Sequence, residues 1–257
     1  MQLSPDAHPL RDDLAAGLLA LGVRPGGVLL VHAALRSLGL PPDLPRAEIA
    51  IAGLLAALGP AGTLLMPALS YASVSAHQPI FDVARTPSCV GGLTEYFRTR
   101  PGTLRSVHPT HSVCGVGPRA EALLAGHQQD VTPCGAHSPF SLLPQIEGQI
   151  LFLGCGLRPN TSMHAIEERV VPPYLFGQPV DYQAILADGS VTAMQVRRHN
   201  FAGWAQRYDR LEQILGGGLR AGRVLQANCH LVETAQMWPA ALAALRRDPL
   251  FFVEASA

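Results

Sequence analysis

Short apolar runs alternate with longer amphipathic stretches along this chain, and Gly or Pro stands at most of the changeovers. Residues 10–21 carry apolar side chains at helical spacing, and Gly22 with the turn Arg24-Pro25-Gly26-Gly27 predicts where that helix stops. Val28-Leu29-Leu30-Val31 is continuously apolar, the pattern of a strand covered on both faces. It delivers His32, Ala33, Ala34 and Leu35 to the end of a sheet, where open α/β folds place ligands. Residues 46–58 return to helical spacing. Gly59-Pro60-Ala61-Gly62 interrupts them, and Thr63-Leu64-Leu65-Met66 predicts a second buried strand, ended by Pro67. Strand, helix and strand in this order predict a parallel crossover.

Residues 68–101 lose the period and predict an irregular excursion over the site, with Tyr71 placed just past a strand end to line a pocket. Short helices are expected at 118–126 and after the loop 134–140. Ile150-Leu151-Phe152-Leu153 reads as another buried strand, broken at Gly154-Cys155-Gly156 and followed by a helix after Pro159 and Asn160. Asp188-Gly189 inside residues 184–196 is a hairpin signal. Residues 203–215 read as a helix ended by Gly216-Gly217-Gly218, residues 224–234 as one or two strands, and residues 239–247 as a closing helix. A parallel first half beside an antiparallel hairpin predicts one α/β domain over residues 1–257, with a mixed, partly parallel central sheet flanked by helices.

Composition narrows the class. Apolar residues make up 48% of the chain and charged ones 15%, enough for a substantial core. The 19 basic residues, all Arg, balance 19 acidic ones, so no global field draws the protein to nucleic acid or an anionic membrane. Asp6, Asp12 and Asp13 ahead of the first apolar run are unlike a secretory leader, and no run is long enough to span a bilayer. Five scattered cysteines fit reduced thiols in a cytoplasmic protein.

The candidate chemistry concentrates in residues 150–168, ILFLGCGLRPNTSMHAIEE. His164 and Glu167 stand at i and i+3, so on a helix they share a face. Thr161 or Ser162 is suited to cap that helix, which places His164 in its first turn. The positive helix end disfavours imidazolium and a neighbouring carboxylate favours it, leaving a histidine able to act as a base near neutral pH. A capped helix with an incidental histidine and solvated carboxylates is the plainer reading of the same spacing. Gly154-Cys155-Gly156 lacks the third glycine and the following acidic residue of a nucleotide fingerprint. Cys155 lacks the spacing of a nucleophile elbow and reads as packing. His108, His111 and Cys114, with Cys134 and His137, are metal-ligand types at short spacing. No complete zinc-finger pattern is present among them, and no metal is expected.

Several ordered motifs resemble the aminoglycoside 3-N-acetyltransferase family, the antibiotic N-acetyltransferases distinct from the GNAT fold. They are Val31-His32-Ala33-Ala34-Leu35 with Leu38-Gly39, Leu58-Gly59-Pro60-x-Gly62-Thr63-Leu64-x-Met66-Pro67, Arg105-Ser106-x-His108-Pro109-x-x-Ser112, Ser138-Pro139, and Asn160-Thr161-Ser162-x-His164-x-x-Glu167. The resemblance covers residues 24–235 and implies a mixed-sheet α/β fold with a central cleft. It implies direct acetyl transfer from acetyl-CoA to the 3-amino position of an aminoglycoside, without an acyl-enzyme or a metal. His164 would be the general base and Glu167 its orienting or substrate-contacting partner. His32, Ala33, Ala34 and Leu35 would lie against the CoA pyrophosphate. Ser106, Val107, His108, Ser112, Ser138 and Phe140 would line the CoA channel. Tyr71, Glu167 and Glu168, with Glu95 as a further carboxylate, would meet the cationic substrate. Ala33 and Ala34 stand where family members commonly carry Ser, so two hydroxyl contacts to phosphate would be missing. The alternatives are an acyltransferase acting on a less cationic amine and a non-catalytic relative that binds CoA or an antibiotic. Partners beyond the amine and CoA are not implied.

Overall fold

The computed structural model describes residues 4–256; residues 1–3 of the N-terminal stretch and Ala257 lie outside it. Its strands are β1 (Val28–Ala33), β2 (Thr63–Pro67), β3 (Ile80–Asp82), β4 (Leu104–Arg105), β5 (Val113–Val116), β6 (Gln149–Leu153), β7 (Phe176–Ile185), β8 (Val191–His199), β9 (Trp204–Gln206), β10 (Leu219–Val224), β11 (Ala227–Glu233) and β12 (Val253–Ala255). Its helices are α1 (Ala7–Leu21), α2 (Arg46–Leu58), α3 (Gly92–Thr99), α4 (Ala120–Leu124), α5 (Pro139–Leu142), α6 (Ser162–Val170), α7 (Glu212–Leu215) and α8 (Thr234–Arg247).

Seven strands form the main sheet in the order β10-β11-β6-β1-β2-β5-β4. Its centre is parallel, with β1 pairing β2 on one side and β6 on the other. The outer strands β11 and β5 pair antiparallel to β6 and β2, which makes the sheet mixed. The continuous apolar runs follow from two covering layers. Leu29 and Val31 of β1 pack with Leu14, Leu18, Ile49 and Leu54 of α1 and α2. Val28 and Leu30 pack on the other face with Phe140, Ile166, Met237 and Leu245 of α5, α6 and α8. With both faces dry, these β1 positions admit no polar side chain, and the first appears at His32.

A second sheet, β3-β7-β8, is built on the predicted hairpin. Gly189 takes φ 83° at its turn, and the Ser190 N–H donates to Asp188 Oδ1 at 2.9 Å. Phe81, Tyr182 and Val196 form a small core beneath it. This hairpin ends at His199, which it brings to the pocket described below.

Three segments differ from their periodicity. Residues 68–101 hold β3 and α3, the latter buried through Leu93 and Phe97 at i, i+4. Residues 203–215 are not one helix. Trp204–Gln206 pairs with Val253–Ala255 as a two-stranded ribbon, followed by a 3-10 turn and the single turn α7. Strand pairing and the burial of Tyr208 outweigh local propensity there. Helix α8 begins at Thr234 rather than at Pro239, which is tolerated near its start at the loss of one backbone bond. Among the described residues no helix is long and apolar enough to cross a membrane.

Candidate active site

The site forms where the parallel strands end. After β6 the chain turns at Gly154 (φ 75°), where an added Cβ would lie 1.7 Å from Ser37 Oγ in the turn that follows β1. That close approach requires glycine and explains the break without any nucleotide. Helix α6 then starts with a side-chain cap, though not the one expected. Asn160 Oδ1 accepts from the Ser162 N–H at 3.2 Å, whereas Thr161 at the cap position makes no side-chain bond. Asn160 is wholly buried, and its Nδ2 reaches Met237 Sδ at 3.4 Å, so the start of α6 is anchored to α8.

The first turn carries His164 and the second Glu167, with Nδ1 and Oε2 3.0 Å apart. Glu167 is fully buried and receives two further donors: Tyr208 Oη at 2.8 Å on Oε2 and Tyr174 Oη at 2.8 Å on Oε1. Tyr208 Oη also lies 2.9 Å from His164 Nδ1. A buried carboxylate is stable only when its lone pairs are satisfied, and three donors do that here. Burial, and then the Glu167 charge, push both tyrosine hydroxyls well above their ordinary range, so they remain donors. With Nδ1 engaged, Nε2 is the nitrogen of His164 left for the adjacent cavity.

That cavity measures about 360 Å³. Its walls include Tyr71, His111, Arg158, Arg198, His199 and Phe201 beside His164 and Tyr208. A smaller hollow of about 110 Å³ is lined by His32, Ala33, Pro67 and Cys155. The two share Val90, Pro159 and Thr161 as wall residues and therefore adjoin. Strand ends β1, β2 and β6 thus feed one composite cleft, the position expected of ligands in open α/β sheets.

The structure brings together only part of the expected set. His164, Glu167 and Tyr71 meet at or behind the larger cavity, and His32 and Ala33 line the smaller one. His32 stacks on Phe152 at 5.2 Å, and burial, then the nearby His164 charge, lower it to about 3. Ala34 and Leu35 lie just beyond, where the Ala34 N–H donates to Leu153 O at 2.9 Å.

Glu168 does not face the cavity. It accepts from Thr132 Oγ1 at 2.6 Å, the Cys134 N–H at 2.8 Å and His199 Nε2 at 2.8 Å, and burial raises it above the ordinary carboxylate range. Glu95 pairs with Arg98 at 2.7 Å on α3.

Five of the six remaining channel residues are buried and bonded or packed elsewhere, and Val107 is half-buried. Ser106 Oγ bonds His127 Nδ1 at 2.9 Å and the Val113 N–H at 2.8 Å; Ser112 Oγ donates to Ala68 O at 2.8 Å and accepts from Arg105 Nε at 2.9 Å. Ser138 caps α5, Phe140 is core, and His108 stacks on His127 at 4.8 Å. Val107 lines a separate hollow with Arg98, Arg100 and Arg105. None of these six is among the residues lining the two hollows of the cleft.

Sequence reasoning missed Tyr174, Tyr208, Arg198 and His199. Tyr174 lies in the loop just past α6 and the other three lie two or more elements further on, and no local pattern marks any of them. The thiol of Cys155, raised to about 12 by burial, fits packing.

A model of the family described as aminoglycoside 3-N-acetyltransferase matches residues 30–246. An aminoglycoside N(3)-acetyltransferase IV from Salmonella sp is 34% identical over 94% of this chain and 89% of its own length. The crystal structure of apo aminoglycoside acetyltransferase AAC(3)-IVa superposes with a TM-score of 0.78 at 31% identity, covering 94% of this chain and 90% of its own. A mutant of that enzyme is also known in complex with a gentamicin. The AAC-IIIb structure binary with CoASH superposes with a TM-score of 0.79 at 27% identity, over 92% and 96% of the two chains.

Proposed function

This chain belongs to the aminoglycoside 3-N-acetyltransferase family, and from that premise we propose that it moves an acetyl group from acetyl-CoA to an amine, with His164 as general base. The observation that carries this reading is the buried Glu167–His164–Tyr208 chain opening on a 360 Å³ cavity. An amine is mostly protonated near neutral pH and attacks only as the free base. His164 Nε2 takes the proton as the amine nitrogen bonds the thioester carbonyl carbon, and Glu167 offsets the imidazolium charge. The tetrahedral intermediate collapses with loss of the C–S bond, and the imidazolium returns its proton to the leaving thiolate. An N-acetyl amine and CoASH result, the base is regenerated, and no acyl-enzyme forms. The N–H groups of Ser162, Met163 and His164 at the start of α6 are already bonded to Asn160 and Thr161, so the backbone N–H groups that follow Gly154 are the candidates for the developing oxyanion. The hollow at His32 and Ala33, which adjoins the cavity at His164, takes the CoA side of acetyl-CoA; the CoASH complex of AAC-IIIb supports acetyl-CoA as the donor.

The acceptor proposed first is the 3-amino group of an aminoglycoside, in line with the gentamicin complex of AAC(3)-IVa. One observation favours a second reading. Arg158 and Arg198 line the larger cavity and no carboxylate among the described residues does, which favours amines with fewer positive charges than a typical aminoglycoside.

Thiol release from acetyl-CoA across aminoglycosides and simpler amines separates the two. His164→Ala should lose about 10²–10⁴ in kcat while keeping its affinity for CoA. Wild-type turnover in that variant would overturn the assignment of the base. Saturable CoA binding with no turnover on any amine would overturn the enzymatic reading.

A further inference from the structure

The cavity wall holds a feature that acetyl transfer does not require. One ring nitrogen from each of His111, His164 and His199 lies within 4.8 Å of the others. The His111 and His199 rings meet edge-on, with centroids 5.1 Å apart at 82°, and the His164 and His199 rings are tilted, with centroids 4.8 Å apart at 58°.

Each imidazole is held from behind on its other nitrogen. His164 Nδ1 is bonded to Glu167 and Tyr208, His199 Nε2 to Glu168 at 2.8 Å, and His111 Nδ1 to Thr110 Oγ1 at 2.9 Å. The nitrogens left over are the two Nε2 atoms and His199 Nδ1. His199, whose side chain is 5% exposed, keeps that Nδ1 buried without a hydrogen-bond partner among the described residues. An imidazole that donates one N–H to a carboxylate and turns its lone pair on a common centre is the arrangement by which proteins orient zinc-binding histidines. The two carboxylates behind the cluster, Glu167 and Glu168, are consecutive on α6 and serve different histidines.

We propose that His111, His164 and His199 form a three-histidine site for Zn²⁺, with the fourth position open to the cavity. Tetrahedral ligation at about 2.0 Å separates ligand nitrogens by about 3.3 Å, so modest side-chain rotations close the cluster on an ion. The ion is not a cofactor for acetyl transfer. It occupies the Nε2 lone pair that the base needs, so zinc and catalysis exclude one another. That exclusion rests on the reading of His164 as base; the binding itself does not. This set differs from the cysteine-containing one suggested by the sequence. Cys114 and Cys134 are buried; burial raises the Cys114 thiol to about 12 and the Cys134 thiol well above its ordinary range, and neither joins the cluster.

Full-length protein freed of metal by a chelator tests this by equilibrium dialysis against Zn²⁺ and by Co²⁺ absorption spectra. One Zn²⁺ per chain is expected, with affinity at least about tenfold weaker in His111→Ala and in His199→Ala. His137→Ala and His230→Ala, outside the cluster, should bind as the wild type does. Thermal unfolding checks that each variant is folded. Co²⁺ should give tetrahedral d–d bands without thiolate charge transfer. The site is overturned by no stoichiometric Zn²⁺, by unchanged affinity in both cluster variants, or by a thiolate band. Zn²⁺ should also inhibit acetyl transfer, and chelation should restore it. Zinc bound at the cluster without inhibition would keep the site and overturn His164 as base. Absence of binding with an inactive His164→Ala would keep the base and overturn the site.

Discussion

At the scale of single residues, the active centre depends on how one buried carboxylate is shared. Glu167 accepts from His164, Tyr174 and Tyr208, and Tyr208 alone also touches the histidine. Tyr208→Phe keeps the ring packed against Phe252 and removes only the hydroxyl. A hydrogen bond to a charged group contributes about 1.5–3 kcal/mol, so kcat should fall about ten- to hundredfold with KM for acetyl-CoA little changed. Steady-state kinetics check this, and an unaltered kcat would show that Glu167 orients His164 unaided. The His164–Glu167 pair was legible in the sequence because both residues sit on one helix at i, i+3. Tyr208 and His199 were not, because strand pairing and a hairpin bring them in from elsewhere in the chain, and Tyr174 was not, because it folds back from the irregular loop after α6. Glu168 shows the limit from the other side. One residue further along a helix is about 100° further around it, which turned this carboxylate from the cavity to Thr132, Cys134 and His199.

At the scale of elements, α6 is capped well at its start and poorly at its end. It stops at Val171, held at φ 54° and half exposed, with its N–H donating to Glu167 O at 2.7 Å. A β-branched residue rarely adopts this left-handed conformation, at a cost of about 1–2 kcal/mol. Glycine adopts it freely but loses about 0.5–1 kcal/mol in backbone entropy. Val171→Gly should therefore gain about 0.5–1 kcal/mol, or about 2 °C in Tm, while Val171→Ala, which keeps a Cβ, should not. Thermal unfolding of the two variants decides, and equal Tm values would remove the backbone argument. The central strands and the helices α1 and α2 were legible because their faces are buried by neighbours in the same layers. Residues 203–215 were not, because Trp204–Gln206 finds its partner about fifty residues later, at Val253–Ala255.

At the scale of the molecule, charge is balanced at 19 basic and 19 acidic residues near neutral pH, and buried histidines are the first groups to couple stability to acid as pH falls. Burial, and then the His164 charge, lower His32 to about 3; burial lowers His127 to about 4 against the opposing effects of Pro133 O and Asp130. In the unfolded chain both titrate near about 6.5. Their stabilisation is complete above that value and is lost as pH falls, because the unfolded chain takes up protons that the native one refuses. Each histidine contributes about 1.4 kcal/mol per pH unit, so the two together cost about 2.7 kcal/mol for every unit between about 6 and 4. His108, lowered by burial, acts in the same direction. Lower still, Glu95 and Asp209, held down by Arg98 and Arg207, lose their own contributions as they protonate, while Glu168, raised by burial, opposes weakly. The protein should unfold steeply with acid well above pH 4, taking up at least two protons per chain. Calorimetric Tm in chelator-containing buffers between about pH 4.5 and 7.5 measures that uptake as a slope. A flat profile would mean that these histidines are already protonated or solvated in the native protein, and the packed layers that carry the cleft would then be looser than their burial implies.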